Sequence, residues 1–120
     1  MFFKIRKNQL SELVKLSGLF LGPGLEVEGE ITTEDDVFVD SKFKGQITSE
    51  GAVELGKNCH FSGALKGRTI IMEGIIKANA EANDSIVVAA SAEFNGIAEA
   101  KSIVVEKGAA INAKLNSSKA

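Results

Sequence analysis

A short apolar unit recurs along most of this chain, and its spacing constrains the fold more than any other feature. The unit reads large-x-small-x-apolar. It runs through Val27, Gly29 and Ile31, then Phe43, Gly45 and Ile47, then Phe61, Gly63 and Leu65. It continues through Ile76, Ala78 and Ala80, then Phe94, Gly96 and Ala98, and ends at Ile111, Ala113 and Leu115. Its central small residues are spaced by 15 to 18 positions. A second series interleaves with it: Val37-Phe38-Val39, Val53-Glu54-Leu55, Ile70-Ile71-Met72, Ile86-Val87-Val88 and Ile103-Val104-Val105, spaced by 16 or 17. Such a period is too short for a helical repeat or a propeller blade. It suits one coil of a β-solenoid, with about three short strands per turn.

Strand alternation then assigns faces. Phe43, Gly45 and Ile47 share the inward face, and the next inward positions form a column of small residues: Thr33, Ser49, Gly67, Ala82, Ala100 and Ser117. A narrow cross-section admits few bulky side chains per layer, so large residues need small ones beside them. This reading places Gly29, Gly45, Gly63 and Gly96 in the core as spacers. A further inward column holds Ser41, Cys59, Gly74, Ala92 and Ala109. Cys59 is therefore read as a small buried residue and its neighbour His60 as outward. The fold expected is all-β: a single-stranded β-solenoid of about six partial coils.

Composition removes most chemistry. With one Cys and one His, neither an intrachain disulfide, a Cys-based zinc site nor a three-His metal site is possible within one chain. Gly63 to Thr69 only superficially resembles a phosphate-binding loop, lacking the Gly-Lys-Ser/Thr ending. The acidic corner Glu34-Asp35-Asp36 lacks the convergent ligands calcium needs. The chain reads as no enzyme, with no cofactor and no metal. A net charge of −2 gives no bias towards nucleic acid.

Gly22-Pro23-Gly24 is the strong breaker, and it divides the chain into a tail over 1–23, a solenoid over 24–116 and a stub over 117–120. Residues 1–16 carry a net +3, leaving −5 for the rest. Leu10, Leu13 and Val14, followed by Leu19 to Leu21, suggest a short amphipathic helix, marginal in isolation. No apolar run approaches the ~18 residues of a transmembrane helix, and no signal peptide is legible; a cytoplasmic location is expected. Neither end of the solenoid carries an obvious cap, and uncapped sheet edges invite stacking. The outward residues of the second series include Phe38, Ile71, Val87 and Val104. They read as an ordinary β-rich face, or as a stripe for a lateral contact or for cover by the N-terminal segment.

The opening Gly24-Leu-Glu-Val-Glu-Gly-Glu-Ile31, the Phe/Val-x-Gly-x-Ile units and the alternating Ile/Val strands resemble the bactofilins, bacterial polymer-forming cytoskeletal proteins. The resemblance implies a right-handed β-helix of triangular section, and the segment before it is expected to be a flexible N-terminal tail. It also implies non-polar filaments built from like ends without nucleotide. The polymerisation residues it implies are Leu25, Val27 and Ile31 at one end and Ile111 and Leu115 at the other. A membrane-binding segment is implied at Phe2, Phe3, Lys4, Ile5, Arg6 and Lys7, where basic residues add about 1 kcal/mol each near an anionic leaflet. The expected partners are further copies of the chain, the inner face of the cytoplasmic membrane, and cell-wall enzymes or cell-shape factors held on a scaffold. The competing readings are a non-polymerising membrane-surface adaptor and a β-helical acyltransferase-like enzyme whose only candidate base is His60.

Overall fold

A computed structural model describes residues 4–5, 19–22 and 24–117. Among them are strands and no helix. In chain order they are β1 (Lys4–Ile5), β2 (Leu19–Leu21), β3 (Glu26–Thr33), β4 (Val37–Val39), β5 (Lys42–Ser49) and β6 (Ala52–Leu55). There follow β7 (His60–Met72), β8 (Ile75–Val88), β9 (Glu93–Glu99), β10 (Ser102–Val105) and β11 (Ala110–Asn116). All of these strands but β1 stack in parallel as a β-solenoid of about five turns.

The two sequence series become two stacks of rungs. One stack is β3, β5, the first half of β7, the first half of β8, β9 and β11. The other is β2, β4, β6, the second halves of β7 and β8, and β10. Each repeat position pairs with its equivalent in the next coil: Val27 with Phe43, Phe43 with Phe61, Phe61 with Ile76, Ile76 with Phe94, and Phe94 with Ile111. Between the halves of β7 and β8 the register shifts after Gly67, at a bulge where the strand turns from one face to the next. Backbone hydrogen bonds continue the stacking through the corners: the N–H groups of Asp40, Gly56, Glu73, Ala89 and Glu106 donate to Leu21, Val39, Leu55, Met72 and Val88 in the preceding coil.

The core is the inward columns. Phe43, Phe61, Ile70, Met72, Ile76, Ile86 and Phe94 are fully buried, and the Phe43 and Phe61 rings stack with centroids 5.2 Å apart and planes 8° from parallel. That offset stacking adds about 0.5–1.5 kcal/mol to the burial of two aromatic side chains. Of the small column, Ser49, Gly67, Ala82 and Ala100 are buried, Thr33 is half-buried and Ser117, at the last rung, is exposed. Of the second column, Ser41, Cys59, Gly74 and Ala92 are buried and Ala109, on the last coil, is half-buried.

Two features differ from the sequence reading. First, Gly29, Gly45, Gly63 and Gly96 are not buried spacers; Gly63 is exposed and the others are half-buried. They have positive φ of 132°, 139°, 139° and 136°, a region that favours glycine. A Cβ built on Gly45 would run into the carbonyl oxygen of Gly29, and one on Gly63 into that of Gly45. The repeat therefore carries glycine for backbone shape and close coil-to-coil approach, not to leave room for a ring. Second, the sheet reaches back beyond Pro23. β2 pairs in parallel with β4, Leu19 opposite Val37 and Leu21 opposite Val39, and Leu21 is fully buried. Residues 19–21 thus form a rung where helical spacing suggests part of a helix. Residues 10–18 lie outside the described residues.

Candidate functional site

The sites expected from the sequence lie at the two ends of the solenoid and along its flank. At the C-terminal end the last rung is open in every column. Val105 is 41% exposed and Leu115 40%, while Ile103, Ile111 and Ala113 are half-buried against the core. β10 pairs only with β8, and β11 only with β9. The other side of each strand is therefore an unsatisfied sheet edge among the described residues, and an edge of this kind is a template for another strand. Apolar side chains and a strand edge meet on one small face. The structure brings the expected Ile111 and Leu115 together there, and adds Ile103 and Val105. The sequence already held that signal, since both belong to the inward positions of the last second-series unit.

The N-terminal end is different. Leu25, Val27 and Ile31 are 8%, 3% and 1% exposed. Val27 and Ile31 belong to the same columns as Ile111 and Leu115, and Leu25 lies two residues before Val27; all three are core residues and not an open face. An end without a cap was expected here. Instead β1 lies antiparallel on β3, setting Lys4 opposite Glu28 and Ile5 opposite Val27. So Lys4 and Ile5, placed by the resemblance in a membrane-binding segment, are strand residues on the N-terminal edge. Phe2, Phe3, Arg6 and Lys7 lie outside the described residues.

On the flank, Phe38, Glu54, Ile71, Val87 and Val104 form one continuous column by register. Phe20 extends it by one rung. The column is apolar over three consecutive rungs, Ile71, Val87 and Val104, and Glu54 separates these from Phe38; only Val104, at 49% exposed, stands well clear, while Phe38, Ile71 and Val87 are half-buried. A second face carries an axial groove bordered by Lys66, Glu81, Ile97, Glu99 and Lys114.

The residues with reactive side chains serve structure. Cys59 is fully buried, and its thiol is pushed up to about 12 by burial and then by the nearby Asp40 charge. A thiol held neutral in this way is not a nucleophile at physiological pH. His60 is exposed at the start of β7, between Lys42 and Ile75 in the ladder. The acidic residues at corners hold the turns. Asp36 Oδ1 accepts the Ala52 N–H at 3.0 Å. Asp40 accepts from Asn58 twice, from the backbone N–H at 2.9 Å and the side-chain amide at 3.1 Å. Glu106 Oε1 accepts the Ala90 N–H at 3.0 Å. Each carboxylate thus reaches the neighbouring coil, satisfying an N–H that the corner removes from the sheet ladder. Among the described residues no group of three or more His, Cys, Asp or Glu side chains is arranged to hold a metal.

Comparisons with known proteins agree with this geometry. A family model described as "Bactofilin: Polymer-forming cytoskeletal" matches residues 19–116. That match begins at β2, the rung that precedes Pro23. The comparison with curated proteins finds no match. Among solved structures, a cryo-EM reconstruction of Thermus thermophilus bactofilin double helical filaments is 28% identical, with a TM-score of 0.75. That match covers 80% of this chain and 95% of the other. A crystal structure of a phenylalanine-to-arginine mutant of the Thermus thermophilus protein is also 28% identical, with a TM-score of 0.67, covering 73% of this chain and 98% of that one.

Proposed function

The chain belongs to the bactofilin family of polymer-forming cytoskeletal proteins, and from that premise we propose that it polymerises end to end through its sheet ends, without nucleotide. The single observation that carries this reading is the open last rung. Ile111, Leu115 and Val105 present apolar surface beside an unpaired edge. Under a two-fold axis, that face is self-complementary in position: the same strand of a second copy meets it in antiparallel orientation. Like-end joints at both ends alternate along an open filament, in which each joint is isologous. The polymer is then non-polar. Lateral association uses the stripe of Phe38, Ile71, Val87 and Val104, which fits the double helical form named for the Thermus thermophilus filaments. The family is structural, so the reading needs no catalytic residue.

The N-terminal segment from Phe2 to Lys7, basic and apolar together, is proposed to bring the polymer to the inner face of the cytoplasmic membrane. There it holds cell-wall or cell-shape factors. The test is direct. Purified full-length protein without ATP or GTP should form filaments in negative stain; protein that stays monomeric across concentration by light scattering sinks the end-to-end reading. Deleting residues 2–7 should abolish co-sedimentation with anionic liposomes, and unchanged co-sedimentation removes the membrane role.

A further inference from the structure

A filament that alternates like ends needs both ends available, yet the N-terminal edge is already occupied by this chain. Among the described residues β1 on β3 is the one antiparallel pair; every other pairing is parallel. The exception has a geometric meaning. A two-fold axis across the N-terminal end would lay a second copy's β3 antiparallel along this β3. β1 therefore lies on the edge, and in the direction, that a second copy's β3 would take, and one edge cannot pair with both. The occupants differ in extent: β1 spans two residues, whereas β3 spans eight. A two-residue ladder makes few backbone hydrogen bonds, each of modest net value, and a two-stranded pairing this short is marginal. A longer strand can displace it.

We propose that β1 is a plug supplied by the chain itself, displaced by β3 of a second copy when the N-terminal joint forms. The proposal rests on the end-to-end reading above. It makes the plugged chain competent at its C-terminal end only, so that pairing through that end gives dimers and plug release gives filaments. The plug also contains Lys4 and Ile5 of the proposed membrane segment, so pairing with β3 and lying on a lipid surface exclude one another.

The experiment fixes the plug. Lys4→Cys with Glu28→Cys places two thiols at directly opposed positions of an antiparallel pair, a separation a disulfide spans. The background is full-length protein with Cys59→Ala, a residue this column already carries at Ala92. In the oxidised state assembly should stop at dimers by sedimentation velocity and negative stain, and reductant should restore filaments. Oxidised protein that forms long filaments overturns the proposal, as does failure of the intramolecular disulfide to form. Deleting residues 2–7, assayed without lipid, should lower the critical concentration about tenfold, the change expected for ~1.4 kcal/mol. An unchanged critical concentration overturns it as well. Should the Cys59→Ala parent form no filaments, the deletion decides: filaments on deletion support a tight plug, and none takes down the end-to-end reading together with it.

Discussion

The first and last rungs of this solenoid are built from the same repeat and meet different fates. Val27 and Ile31 are 3% and 1% exposed, while their column partners Ile111 and Leu115 are half-buried and 40% exposed. The residue types are similar, and the strands are stacked in continuous register between them. Burial in a solenoid is therefore a property of having a neighbour on each side. An inward residue of a terminal rung is a core residue waiting for a layer. At the N-terminal end part of that layer is β1, and at the C-terminal end no described residue supplies it. A surface of this kind is apolar because the repeat is apolar, and stacking on a second copy would need no dedicated binding motif.

That contrast can be broken at its buried side first. Val27→Arg should prevent folding. An unpaired guanidinium in the core costs many kcal/mol, against the roughly 5–15 kcal/mol that holds a domain together. Circular dichroism should show loss of the β signal; a folded variant would mean the N-terminal rung is not core. A smaller effect separates the middle of the stack from its end. Phe61→Ala removes one of two stacked rings and should cost about 3–5 kcal/mol, read as a fall in the denaturation midpoint. Ile111→Ala, in the same column but open on one side, should cost under ~2 kcal/mol. Equal losses would show that the last rung is buried in the isolated chain. Next comes Gly45→Ala. A positive φ is strained for alanine by about 1–3 kcal/mol, and the added Cβ meets the Gly29 carbonyl, so the loss should reach at least that range. Little or no change in stability would show that the coils can separate there without cost.

The stacking was legible because two series share one period. Periodicity of that kind reports coil-to-coil register directly: Phe43, Phe61 and Phe94 fall into one column by counting. The role of the glycines was not legible. Counting shows that Gly45 and Gly63 are equivalent, but an inward spacer and a positive-φ kink look alike in sequence, since both exclude a side chain. The extra rung is legible in the spacing but masked by a breaker. Leu19-Phe20-Leu21 lies 18 positions before Val37-Phe38-Val39 and matches its pattern, but Gly22-Pro23-Gly24 reads as a boundary, although the sheet includes residues 19–21 before it. β1 was not legible, because two residues carry no period and their pairing is set by tertiary contact.

The sharpest form of the comparison separates folding from assembly at the open end. Leu115→Arg changes a side chain that is already 40% exposed. Its arginine can reach water, so the monomer should keep its stability to within about 0.5 kcal/mol, the usual range for a surface substitution. The joint has no such escape. Under a two-fold axis each Arg would be brought to the same face as its copy, so the contact would bring like charges together as water is excluded. Filaments should disappear from negative stain while the thermal midpoint of the monomer stays put. Filaments with wild-type lengths would show that the C-terminal rung is not a joint. A variant that loses both filaments and stability would show that Leu115 belongs to the core despite its exposure, and that the two ends differ less than their accessibility implies.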